Sequence, residues 1–115
     1  MTKVEAGTLY GTLSLLVLQA LSEGALHGLE ISRRIHHEAD EVLKVDEGAL
    51  YPALHRLERD GFVRGEWGIS EKHRRAKFYS LTVKGKRRLE RDAKRWLRHA
   101  NAVASVLRLP AAWAE

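Results

Sequence analysis

The chain has 115 residues and no cysteine, and its 20 Lys and Arg outnumber its 15 Asp and Glu to give a net charge of +5. That length supports one domain with its own core, and the missing thiols exclude a disulfide-stapled scaffold or a thiolate metal site, leaving a cytoplasmic setting as the default. The mildly basic balance fits an anionic partner but also many ordinary domains, so the placing of the charges has to decide.

The first apolar stretch, Leu13 to Leu21, is broken by Ser14 and Gln19 and is shorter than the roughly 20 residues a membrane span needs. Nothing there reads as a targeting signal, and no membrane partner is expected. From Thr8 to Leu21, apolar residues at Leu9, Leu13, Leu16, Val17, Ala20 and Leu21 recur at helical spacing, which predicts a largely buried first helix ended by Ser22-Glu23-Gly24. A second helix is expected over His27 to Ala39, with Ile31 and Ile35 inward and Glu30, Arg33, Arg34 and His37 outward.

After a compact connection comes the stretch around which the chain is organised, Asp46 to Gly61. Asp46 can cap its first turn and Gly61 can end its last. At roughly 100° per residue, Leu50, Leu54 and Leu57 share a core face, whereas Gly48, Pro52, His55, Arg56 and Arg59 gather opposite. The outward side opens with compact Gly48, Ala49 and Pro52, flanked by Tyr51, so it can approach another surface closely. Pro52 removes one helical hydrogen bond, which predicts distorted first turns rather than a late start. Two helices so joined form a helix-turn-helix pattern.

Beyond Gly61 the period becomes extended. Residues 62 to 67 and 77 to 81 are β-rich runs, separated by GISEKHRRA, which predicts an antiparallel hairpin with a long charged tip bearing Lys72, His73, Arg74 and Arg75. Thr82 can cap a last helix running from about Val83 to Leu109, where Pro110 stops it. Leu89, Ala93, Trp96, Ala100, Val103 and Leu107 step through it as a heptad seam, too long for the hairpin to cover. The same helix of a second chain is the expected cover. The fold class is therefore mainly α with a small β-hairpin: a winged helix-turn-helix domain over residues 1 to 82, followed by a C-terminal dimerisation helix and short tail over 83 to 115.

The segments GALYPALHRLERDGFV and HRRAKFYSLTVKG, with LHGLEI before them, resemble the PadR-like transcriptional regulators across roughly Leu9 to Leu89. Leu29 stands where that family usually has tyrosine, which removes the hydroxyl that the family pattern offers for a contact or a packing bond near the start of the second helix. The wing WGISEKHRRAKFY looks closest to a short branch, the acidobacterial type. The resemblance implies a homodimeric repressor on a pseudo-palindromic operator in double-stranded DNA, with the third helix in the major groove and each wing along the neighbouring backbone. The implied DNA contacts are Lys44, Glu47, Gly48, Ala49, Tyr51, Pro52, His55 and Arg56 around that helix, and Lys72, Arg74, Arg75 and Lys77 on the wing. The second basic run, residues 86 to 95, reads chiefly as a solvated helix surface.

The basic wing could serve an acidic protein partner without specific DNA binding, and a winged helix can bind RNA, although no exposed stacking platform accompanies this tip. His36 and His37 are adjacent and so point about 100° apart, which argues against a shared metal ion. No cofactor is implied, and no phosphate-binding glycine loop, nucleophile elbow or metal signature suggests an enzyme. Trp96 lies between Ala93 and Ala100 on the seam, so it could either pack or offer two stacked indoles to a planar aromatic effector in a symmetric dimer.

Overall fold

The computed structural model describes residues 2–4 and 12–109. Thr8 to Gly11, which the first helix was expected to include, and the Pro110 stop lie outside the described residues. Helix α1 (Thr12–Ala20) buries Leu13, Val17, Leu18 and Ala20. Its contacts go to the two helices that follow, α2 (Gly28–Glu38) and α3 (Glu47–Arg59), and to the long last helix, α4 (Val83–Leu107). Ile31 and Ile35 from α2 and Leu50, Leu54 and Leu57 from α3 complete a core in which Leu18, Ile31, Leu50 and Leu54 have no exposed surface. Removing any one of these leucines to alanine would cost about 2–5 kcal/mol.

Three short strands escaped the sequence reading. Residues Thr2–Val4 (β1) run parallel to Leu43–Val45 (β3), the strand that leads into α3. Leu26–His27 (β2) pairs antiparallel with Arg75–Leu81 (β5), which in turn pairs with Val63–Ile69 (β4). The hairpin is thus the outer part of a three-stranded sheet in the order β2-β5-β4. Its strands reach further than the propensities suggested, with Gly68 opposite Ala76 and Ile69 opposite Arg75, so the tip shrinks to Ser70 through Arg74. Within it, Ser70 N donates to the Arg74 carbonyl at 2.7 Å, and His73 takes a left-handed φ of 57°.

Helix α2 starts on a reciprocal cap. The Glu30 amide donates to His27 Nδ1, and the His27 amide donates to the Glu30 carboxylate. Between α2 and β3 the chain turns through two successive left-handed residues, Asp40 and Glu41, and Glu41 N donates to the His36 carbonyl at 2.8 Å. Helix α3 continues through Pro52. Asp46 occupies its N-cap position, yet its side chain makes no capping bond, and instead its carbonyl accepts from the Ala49 and Leu50 amides. Gly61 follows the helix at φ 82°, a conformation that suits glycine.

Thr82 does cap α4. Its hydroxyl oxygen accepts from the Gly85 amide at 3.0 Å, while the hydroxyl itself donates to the Gly61 carbonyl at 2.6 Å. One side chain therefore links the end of α3, the base of the hairpin and the start of α4. Gly85 is buried there because a Cβ at this position would overlap the Phe62 carbonyl oxygen. The helix ends at Leu107, two residues short of expectation, where Arg108 turns left-handed and its amide returns to the Ala104 carbonyl.

Candidate nucleic-acid interface

The N-terminus of α2, the outward flank of α3 and the inner face of the β4–β5 hairpin enclose a groove of about 640 Å³. Tyr51 and His55 face it from α3, and Lys72, Arg74, Arg75 and Lys77 from the hairpin. Tyr51 is 42% exposed and its ring lies against Gly28 so closely that a Cβ there would sit 2.7 Å from the phenolic oxygen. Glycine at the first position of α2 is thus what lets the tyrosine lie flat across the joint between the two helices. Leu29, 40% exposed beside it, lines the same groove with a carbon skeleton and no hydroxyl.

Lys44, Glu47, Gly48, Pro52 and Arg56 are exposed around the start and outer side of α3, outside the groove wall. Ala49 is a correction. It is 5% exposed and belongs to the core, because it lies only about 40° around the helix from fully buried Ala53. The compact outward face is made by Gly48 and Pro52 without it. Since Asp46 leaves the first turn uncapped by its side chain, the Glu47 and Gly48 amides have no acceptor among the described residues. Together with the helix dipole they can receive an anion.

The wing cations divide into three kinds. Lys72 and Arg74 stand exposed on the tip. Arg75 lies on a strand, and its guanidinium stacks 4.6 Å from the centre of the Trp67 ring, which holds it in one place on the inner face. Lys77, expected along the DNA backbone, is held in an ion pair. Its ammonium donates to Glu58 Oε1 of α3 at 2.7 Å. The hydrogen bond to Glu58 raises the Lys77 pKa above its ordinary value against a smaller opposing effect of desolvation. Its neighbour Tyr79 is buried in the sheet, and that burial raises its phenol above the usual range.

Sequence reasoning missed His27, Gly28, Arg33 and Trp67 as groove residues. Trp67 shares one strand face with Gly65 and Ile69, a spacing legible in the sequence, and it is 62% exposed. The seam of α4 is a separate surface. Trp96, Val103 and Leu107 are 44%, 43% and 61% exposed, Ala93 is exposed and Ala100 half-buried. Leu89, by contrast, packs against the chain's own core. No described helix is long and apolar enough to cross a membrane.

Three helices, a basic hairpin beside the third of them and a long terminal helix define a winged helix-turn-helix regulator. The description "Transcriptional regulator PadR-like family" matches residues 17–91. The chain belongs to the PadR-like family, whose members are regulators rather than enzymes. Among solved structures it is similar to a transcriptional regulator from Clostridium thermocellum, with 28% identity, a TM-score of 0.76, and 84% of this chain and 94% of that one covered. A PadR-like transcriptional regulator from Bacillus cereus is 27% identical at a TM-score of 0.71, covering 86% of this chain and 94% of the other. Bacillus subtilis PadR, solved in complex with operator DNA, is 28% identical at a TM-score of 0.62, over 69% of this chain and 45% of that one.

Proposed function

We propose that the protein is a homodimeric, sequence-specific DNA-binding repressor acting in the cytoplasm, with residues 1 to 82 as the reading head and the helix from 83 onward joining two heads. The observation that carries this is the convergence of Tyr51 and His55 with Arg74 and Arg75 on one groove. The operator complex of the Bacillus subtilis relative supports the same reading. In the proposed complex, α3 enters the major groove with Gly48 and Pro52 allowing close approach, and its free first-turn amides meet a phosphate. Lys72, Arg74 and Arg75 then follow the backbone. Lys44, Glu47 and Arg56 flank the reading edge. Lys77 keeps the wing at its angle to α3 and does not itself bind phosphate.

The open stripe Trp96, Ala100, Val103 and Leu107 is the surface for a second copy, with Ala93 at its start. A planar aromatic effector stacking between the two Trp96 rings would shift the angle between the heads, and so release the operator, only by binding the two arrangements with different affinity. The decisive experiment is a gel shift on the DNA upstream of the protein's own coding region, with and without excess competitor duplex. A complex that unrelated competitor removes as readily as unlabelled probe would reject sequence-specific binding.

A further inference from the structure

The basicity of this protein does not reside in its reading head. Between Lys84 and Arg98 there are eight Lys and Arg against two acids, an excess larger than the +5 of the whole chain. The other residues carry twelve bases against thirteen acids and are slightly negative together. Five of those cations, Arg87, Arg91, Lys94, Arg95 and Arg98, are exposed and fall within roughly 100° of arc on α4. They face away from Trp96, Val103 and Leu107 and bound a trough of about 500 Å³ into which Glu90 also opens. None of the residues of this trough lines the groove between α3 and the wing. Arg91 shares Asp92 with Arg88, but Arg87, Lys94, Arg95 and Arg98 have no ion-pair partner among the described residues.

We propose that this face of α4 is a second nucleic-acid surface, which holds the phosphate backbone of a duplex other than the one read by α3. The charge density fits. The eleven steps of helix from Arg87 to Arg98 span about 16 Å, and one DNA strand presents a phosphate every 3.4 Å of axis, or about five over that length. Four of the five cations are arginines, whose forked donors suit phosphate oxygens. No large apolar side chain lies within the arc, so the face lacks the wedge that a membrane-surface helix inserts. Contact is to backbone alone, so this surface binds without regard to sequence, and a protein occupied at both surfaces bridges two DNA segments.

The inference rests on the proposed function only in taking the α3 and wing groove as the other DNA surface, and the variants separate the two. A sandwich capture serves, in which a mixed-sequence 30-base-pair duplex on beads and a fluorescent duplex of unrelated sequence are joined by the full-length protein. In the variant Arg87→Gln, Lys94→Gln, Arg95→Gln, Arg98→Gln, captured fluorescence falls at least tenfold, and the log–log salt slope for duplex binding falls by about 3 to 4. Unchanged helicity by circular dichroism verifies folding, since all four side chains are solvent-exposed. The variant Arg74→Ala, Arg75→Ala loses binding at the reading head but keeps a salt-sensitive duplex contact through α4. If wild type fails to join the two duplexes, or the quadruple variant joins them as well as wild type, the second surface does not exist. Polyglutamate displacing the duplex at equal charge concentration and 0.1 M salt would make the partner an acidic protein and overturn the assignment. A protein that joins duplexes but discriminates no sequence leaves this inference standing and rejects the reading head.

Discussion

Lys77 and Glu58 are 19 residues apart in the chain, yet the lysine ammonium donates to the glutamate carboxylate at 2.7 Å across the gap between the wing and α3. Each residue comes from a different reading element, so the bond fixes an angle between them. Glu58→Ala and Lys77→Ala should each weaken operator binding several-fold. The double variant should be no worse than either, since the interaction is lost once. Additive losses in a double-variant cycle measured by fluorescence anisotropy would show independent roles. Because the bond raises the Lys77 pKa above its ordinary value of 10.5, its stabilising effect is complete below that value and disappears only as pH climbs through the raised one. The wing angle is thus insensitive to pH across the neutral range.

Gly85→Ala should be among the most damaging single-methyl additions in this chain. The added Cβ would overlap the Phe62 carbonyl oxygen, and either α4 or the base of β4 must move. A loss of about 1–3 kcal/mol is expected, read as a shift of the urea midpoint. By contrast, Glu41→Gly relieves a left-handed glutamate at φ 63° and should stabilise the chain by about 1 kcal/mol.

Asp92 gives the protein an acid-sensitive point. Burial alone would raise its carboxyl, but hydrogen bonds from Arg88 and Arg91 outweigh that and hold its pKa below the ordinary value. A depressed carboxylate contributes stability that is present above its unfolded pKa, near 3.8, and is lost as pH falls through the folded value. Asp92→Asn should therefore cost about 0.5 kcal/mol at pH 7 and almost nothing near pH 2, measured by thermal melts across that window.

The proposed dimer predicts that Val103→Asp with Leu107→Asp yields monomers. Both side chains are exposed in a single chain, so the substitution spares the fold while placing charges in the joint. Sedimentation of the wild type as a monomer at micromolar concentration would dispose of the dimer, and with it the expectation of two half-sites about 34 Å, or a multiple of that, apart.

The helices were legible because their apolar periods are strong: Leu50, Leu54 and Leu57 lie within one arc, and the structure buries all three. Ala49 was misplaced because an alanine beside Gly48 and Pro52 looks compact and outward, while its burial depends on how wide a face α1 and α2 cover. The strands β1, β2 and β3 are two or three residues long, too short to show alternation, and they are made by partners distant in sequence. The Lys77–Glu58 bond was hidden for the same reason, since only the hairpin register brings Lys77 over α3. Leu89 fits the heptad count but spends its side chain on the core, so periodicity alone overstated the free seam.

The joint at Thr82 leaves no slack between the wing base and α4, and this turns α4 into a screw of fixed phase. One residue inserted between Thr82 and Trp96 would rotate everything beyond it by about 100° and advance it by about 1.5 Å, aiming the stripe at solvent instead of a second copy. Seven inserted residues would restore the facing to within about 20° while lengthening each arm by about 10 Å. In a dimer joined along that stripe, the number of residues between Thr82 and the seam is therefore a molecular ruler. It records in whole turns of helix the spacing of the two DNA half-sites that the protein can span.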